Sequence, residues 1–369
     1  MAPIRGGGRG VSLEFATGLD VGARKRTRGG INEDSIAVNL LQDGHLDTRR
    51  NSGVFVLADG AGGEESGEIA SYVATVEVAR RLTGALWDSR RLDDVIGEDR
   101  SVDDGLDDSL VTALPRDRGA DWVLHRIETA IRSTHTRLLQ WIQDLGLDSA
   151  YTTIVVGVKL GDRLYYGWVG DSRAYVVNRH PERRDGRRLS LLTRDHSLVQ
   201  RLLEQGEIDE VEAQVHRKGN QITRALGGTA GDDPAGSTVQ VETGHVRLYA
   251  DDVVVFTSDG LVDAYVDAPQ LHDQYTRADP PSDIETKILE RSVTDDEIRD
   301  VVLDADSLDD AVERYLSLAN RRGGKDNISL ILFSDDGLEP SPATGLPDRE
   351  YGTEAEPLES RDTIIRDRD

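Results

Sequence analysis

Three short runs of this chain carry almost nothing but small, apolar and β-branched residues: Gly53 to Ala58, Thr152 to Val158 and Val253 to Thr257. Runs of that length and composition read as buried strands. Further strands are predicted at Ser12 to Thr17, Ser35 to Leu41, Arg163 to Val169, Ala174 to Asn178 and Asn327 to Phe333. Elsewhere apolar residues recur every three or four positions, the period of a helix with one buried face. This predicts helices over Glu65 to Leu82, Asp121 to Leu145, Ser197 to Gln205 and Ser307 to Asn320. In the second of these, Trp122, Ile127, Ile131, Leu138, Leu139 and Ile142 form one long stripe. Strands cluster and helices come in pairs, without the strict alternation of a parallel sheet, so the pattern predicts an α+β layered domain.

Two stretches interrupt the pattern. Trp87 to Asp117 is acidic and turn-rich, and Val266 to Ser307 carries Pro269, Pro280 and Pro281 among many aspartates. Both read as surface insertions, the second with helical turns around Ile284 to Leu289 and Glu297 to Leu303. The expected plan is a flexible stretch over residues 1–11, one catalytic domain over 12–336 and an acidic tail over 337–369 with little that could pack.

Charge narrows the partners. The 69 Asp and Glu against 44 Lys and Arg leave a formal net charge of -25. Nucleic acid and anionic membrane surfaces would repel such a chain, so neither is expected as a partner. Lysine occurs only at positions 25, 159, 218, 287 and 325. That bias, with abundant aspartate, resembles proteins of salt-loving microbes, whose dense carboxylates keep the surface hydrated while salt screens their repulsion. The absence of cysteine rules out disulfides, thiolate metal sites and cysteine nucleophiles. No apolar run suits a secretory signal or a membrane span, which predicts a soluble, cytoplasmic protein, expected to be monomeric.

The candidate chemistry lies at the strand ends. Asn32-Glu33-Asp34, Asp59-Gly60, Gly170-Asp171-Ser172-Arg173, Ser258-Asp259-Gly260 and Lys325-Asp326-Asn327 each sit where an apolar β-run begins or ends. A folded sheet could gather these carboxylates at one rim. Hard divalent cations such as Mg²⁺ and Mn²⁺ need that arrangement of oxygen ligands and keep several waters. An isolated Asp-Gly is usually only a turn. Here Asp59 and Asp259 each follow an apolar strand, and acidic strings recur at several strand ends, so the expected chemistry is metal-activated water acting on a phosphate.

In this order the strings resemble the type 2C metal-dependent protein serine/threonine phosphatases, over roughly residues 12 to 334. The resemblance also covers Gly18 to Gly22, Leu57 to Gly63, Ser66 to Ser71, Thr152-Thr153, Leu192 to Ser197, Ile222 to Gly227 and Gly324 to Ser329. It implies a four-layer α-β-β-α sandwich with two central, mainly antiparallel sheets and a binuclear Mn²⁺ or Mg²⁺ centre at one edge. By the same resemblance Asp59 bridges two metals and the Gly60 carbonyl binds one. Asp259 and Asp326 hold the first metal, Glu33 and Asp34 bind the second largely through water, and Asp171 matches a third, weaker site. The substrates implied are phosphorylated proteins, in signal transduction. Arg28 is the expected phosphate-binding residue, with Arg26 or Arg24 as substitutes because the segment is one residue longer than usual. Ala61 stands where some members carry a histidine acid, and Tyr151 where a glycine is usual. His196 is expected to cap or order the helix that follows it, not to act as a base. The polar stretch between Glu204 and Arg224, with Gly206, His216, Arg217, Lys218 and Gly219, occupies the place of the family's variable flap. Two other functions fit the same residues: a catalytically silent phosphoprotein-binding regulator, or a two-metal hydrolase of small phosphate esters.

Overall fold

A computed structural model describes residues 12–45, 48–61, 66–88, 119–180, 188–263, 267–278, 282–342 and 365–366. The N-terminal stretch 1–11, most of the first interruption (89–118) and most of the tail lie outside them. In chain order the strands are β1 Leu13–Asp20, β2 Ser35–His45, β3 Thr48–Ala58, β4 Gly60–Ala61, β5 Ser149–Thr152, β6 Ile154–Leu160, β7 Arg163–Val169 and β8 Arg173–Asn178. They continue as β9 Leu189–Leu191, β10 Gln221–Ile222, β11 Leu226–Thr229, β12 Glu242–Arg247, β13 Asp252–Thr257, β14 Ile328–Asp335 and β15 Ile365–Arg366. The helices are α1 Ala23–Thr27, α2 Gly67–Asp88, α3 Gly119–Leu145, α4 Leu198–Glu204 and α5 Glu210–Val215. After them come α6 Ala268–Tyr275, α7 Ser282–Leu289, α8 Asp295–Asp304 and α9 Leu308–Arg322.

Two antiparallel five-stranded sheets, ordered β1-β14-β13-β8-β9 and β12-β7-β6-β3-β2, form the centre. The period-two alternation of their strands explains the layers. Phe55, Leu57, Val155, Leu164 and Trp168 of one sheet meet Ala174, Val176, Val254, Phe256, Ile331 and Phe333 of the other. The ring of Phe333 stacks on Phe55 at 3.9 Å and meets Phe256 edge-on at 5.9 Å. The intervening residues point outward: Val54, Val56, Val156 and Val158 pack under α2 and α3, which contribute Val73, Val78, Ile127, Ile131, Leu138 and Leu139. On the far side Val253, Val255, Leu330 and Leu332 pack under α8 and α9 through Ile298, Val302, Val312 and Tyr315. Each fully buried side chain of this kind contributes about 1.5–3 kcal/mol. The molecule is therefore a four-layer α-β-β-α sandwich. Lys159 and Asp335, a fully buried ion pair, stitch β6 to β14 across the interior.

The structure departs from the sequence pattern in three places. The apolar run from Thr152 to Val158 is two strands, because Thr153 leaves the ladder and its amide donates to the Asp59 carbonyl at 2.8 Å. Among its described residues the stretch from Val266 to Ser307 is mainly helical: Pro269 lies in the first turn of α6, where a missing N–H costs nothing. Its C-terminal half belongs to the core, with Val293, Ile298 and Val302 buried under the sheet and Thr294 and Glu297 closing a capping box. Packing also continues past the expected boundary at 336, since the Glu339 carbonyl accepts from Ala250 N–H at 2.9 Å and Ser341 Oγ donates to Asp251 at 2.7 Å. Further on, β15 pairs with β10. Among the described residues no helix is long and apolar enough to cross a membrane.

Candidate metal centre

One edge of the sandwich collects the acidic strings. Asp59, Asp171 and Asp259 each follow the C-terminal end of a strand, β3, β7 and β13. Glu33 and Asp34 precede β2, and Asp326 precedes β14. Since β2 runs antiparallel to β3, and β14 to β13, the starts of β2 and β14 fall beside the ends of their neighbours. Carboxylates far apart in sequence thus share one rim.

The backbone under these residues is over-determined. Asp59 N–H donates to Thr153 Oγ1 at 3.1 Å, while its carbonyl accepts from Thr153 N–H and Thr152 Oγ1, both at 2.8 Å. Thr153 Oγ1 also pairs with Ser172 Oγ at 2.7 Å, tying the Asp59 turn to the Asp171 turn. Both Asp-Gly glycines serve close packing. A Cβ on Gly60 would stand 2.2 Å from the Gly67 carbonyl oxygen, and one on Gly260 would stand 1.8 Å from that of Asn327. Neither glycine has a positive φ. Asn327 gathers three strings at once: its Oδ1 accepts from Glu33 N–H at 2.8 Å, and its Nδ2 donates to the carbonyls of Val21 and Ile31. Ser258 and Ser329 exchange backbone and hydroxyl bonds across the rim, and Ser329 Oγ donates to Asp34.

The electrostatics show which kind of group the rim would suit. Burial pushes Asp34 up to about 6, against the Ser329 hydrogen bond and with the charge of Asp326 adding to the rise. Asp59 is raised well above the carboxylate range by burial and then by Asp34, Asp259, Asp326 and Asp171. Asp259 is raised in the same way by burial, Asp171, Asp263 and Asp326. Oδ1 of Asp34 and Oδ1 of Asp259 are buried without a hydrogen-bond partner. Mutually repelling carboxylates with unpaired buried oxygens are unfavourable unless cations share them. This all-oxygen donor set fits hard divalent ions.

One cation already lies among them. Lys25 Nζ donates to Glu33 Oε2 at 2.7 Å, Asp326 Oδ1 at 2.8 Å and Asn327 Oδ1 at 2.8 Å. Burial opposes its charge, but Asp326 and Glu33 outweigh burial and hold the ammonium's pKa above its ordinary value. Sequence reasoning passed over Lys25 in favour of the arginines around it. Of those, Arg28 is exposed at the end of α1 and has no ion pair to the carboxylates, whereas Arg26 binds Asp20 at 2.7 Å. Asp263 was also missed, although its place four residues after Asp259 put both on one side of a helical turn. Its amide donates to the Asp259 carbonyl at 2.8 Å. His196 does not cap the following helix; that is Ser197, which accepts from Gln200 N–H at 3.1 Å. Instead His196 Nδ1 accepts from Gly170 N–H at 3.1 Å and its Nε2 lies 2.9 Å from Glu242, so it braces the turn carrying Asp171.

The protein phosphatase 2C family profile matches residues 21–280. The chain belongs to that family. Protein phosphatase PhpP of Streptococcus pneumoniae is 27% identical over 326 residues, which is 87% of this chain and 97% of that one. The serine/threonine phosphatase stp of Listeria monocytogenes is 26% identical over 298 residues, 79% and 88% of the two chains. Among solved structures, a bacterial serine phosphatase has a TM-score of 0.60 at 23% identity, covering 89% of this chain and 99% of its own. The catalytic domain of the serine/threonine phosphatase PstP, solved with two manganese ions, has a TM-score of 0.54 at 22% identity, covering 87% and 97%. These likenesses agree with the four-layer sandwich.

Proposed function

We propose that this enzyme hydrolyses phosphoserine and phosphothreonine on proteins at a centre holding two Mn²⁺ or Mg²⁺ ions, with a third, weaker position at Asp171. The observation that carries the reading is the set of like charges at the rim: Asp34, Asp59 and Asp259 all raised, two of their oxygens unpaired and buried. Outside a metal site such a cluster has only a cost. Family membership and the manganese-bound relative support the same reading. Bound there, divalent cations would supply hydroxide near neutral pH and offset charge on the phosphoryl oxygens.

The residues divide the remaining work. Asp59, clamped by Thr152 and Thr153, would be shared between the two ions, beside the Gly60 carbonyl. Asp259 and Asp326 would hold one ion, and Glu33 with Asp34 would orient the waters of the other. Lys25 spends its three hydrogens on Glu33, Asp326 and Asn327, so it acts as an internal counter-charge. Arg28 remains the phosphate grip in this reading, its planar fork able to make two bonds to one phosphate. Ala61 cannot donate a proton, so the leaving oxygen takes its proton from water.

Hydrolysis of a phosphothreonine peptide and of para-nitrophenyl phosphate, with Mn²⁺, with Mg²⁺ and with chelator, tests this directly. Metal-dependent turnover that disappears in Asp259→Asn is expected. A folded, metal-loaded protein inert on both substrates would move the assignment to a silent phosphoprotein-binding module.

A further inference from the structure

A second group of side chains with metal-binding chemistry lies away from the carboxylate rim. Glu212, His216 and His272 bring one ligand atom each within 4.8 Å of one another. Glu212 is in α5, His216 ends that helix and His272 is in α6. The trio therefore spans the seam between the flap and the segment after the Asp259 string. Glu212 and His216 are four residues apart, which sets them on one side of the short helix. His272 Nε2 lies 3.2 Å from Glu212 Oε1, and the two imidazoles meet edge to face at 5.0 Å. His272 Nδ1 is buried with no hydrogen-bond partner, 3.9 Å from Asp273 Oδ1.

Hydrogen bonding alone leaves this group incomplete. A buried ring nitrogen without a partner is destabilising. An ion held through His272 Nε2 would leave the proton on Nδ1 facing Asp273, the outer carboxylate that commonly orients a metal-bound imidazole.

We propose that Glu212, His216 and His272 bind a single Zn²⁺ ion that pins the flap to α6. Two imidazole nitrogens, one carboxylate oxygen and a fourth position open to water form a zinc donor set. Nitrogen donors favour Zn²⁺ over the Mg²⁺ or Mn²⁺ suited to the all-oxygen rim. The seam is already built to be held. Tyr275 donates to Asp209 at 2.8 Å, Arg217 pairs with Asp273, and Val215, Leu271 and Ile288 form a small buried cluster beneath. At its other end the flap reaches the rim, where Lys325 donates to Asn220 at 2.7 Å. An ion at the back of the flap limits movement of the edge beside the metal centre.

The test is calorimetric titration of Zn²⁺ into the full chain with the rim saturated by excess Mg²⁺, for the wild type, His216→Asn, His272→Asn and Glu212→Gln. One Zn²⁺ per wild-type chain is expected. Because outer partners alone are worth ~10- to 100-fold, each ligand replacement should weaken binding by at least that much. The Zn K-edge absorption spectrum of the wild type should show two imidazoles, a readout that needs neither the variants nor turnover. Absence of a Mg²⁺-resistant Zn²⁺ site, unchanged binding by the folded histidine variants, or an oxygen-only shell would overturn the proposal. None of these outcomes depends on phosphatase activity.

Discussion

The rim and the flap seam solve opposite problems with similar residues. At the rim, aspartates hang from the ends of central strands, and their backbone is fixed by Thr152, Thr153, Ser258 and Asn327. At the seam, histidines and a glutamate project from short helices over a small core of Val215, Leu271 and Ile288, against which Val211, Ala268, Tyr275 and Ile284 pack. The rim can hold repelling charges in place because its scaffold is the sandwich itself. The seam has little buried surface and must be tied by cross-links between side chains. Position is thus enforced by the sheets in one region and by pairwise contacts in the other.

The sharpest way to break this contrast is Asp59→Asn. It should lower kcat by roughly 10³-fold or more, the scale set by losing a key electrostatic group. In chelator the same change should raise the melting temperature, since the buried carboxyl must either ionise among its neighbours or hold a proton, and the amide does neither. A variant that loses stability with and without metal would contradict the picture of a strained, scaffolded rim.

Next in size is pH. A carboxyl raised in the folded state binds its proton more tightly there, so between the unfolded and folded values stability falls as pH rises. For Asp34 the window runs from 3.8 to about 6, worth roughly 3 kcal/mol at ~1.4 kcal/mol per pH unit. Denaturant melts in chelator should therefore lose stability from pH 4 towards pH 7, and saturating Mn²⁺ should flatten that fall.

At the seam, Ile288→Ala should cost about 2–4 kcal/mol by leaving a cavity. Hydrolysis of para-nitrophenyl phosphate should stay within about 2-fold of the wild type, because surface elements away from the rim do not set its geometry. A kcat that fell with the rim variants would mean the two regions are one unit. Lys25→Met is the smaller effect, about 2 kcal/mol of stability in chelator, as expected for losing charge-assisted hydrogen bonds. Its cost should shrink in Mn²⁺, when cations neutralise the same carboxylates.

The same contrast explains what could be read from the chain alone. The strands around Val54, Val155 and Val254 were legible because each is buried on both faces and carries an unbroken apolar run. The rim acids were legible because Gly60 and Gly260 are sterically required beside them, giving short fixed strings. Lys25 was not, because its role comes from a contact with Asp326 across 301 positions. Nor was α6, since a proline reads as a breaker until its place in the first turn is known. The histidine pair was hidden for a similar reason: His216 and His272 are brought together only by the packing of two segments.

The pairing of β1 with β14 sets a condition on assembly in time. Leu13 lies opposite Asp335 and Asp20 opposite Ile328, so the earliest and the latest strands of the sandwich complete one another. Asp326 and Asn327, just before that last strand, and Ser329 within it complete the rim. A ribosome that has delivered every residue up to Gly324 has therefore made most of the core and none of a finished centre. On the proposed reading, phosphate hydrolysis would begin only once that final strand has joined β1 and β13.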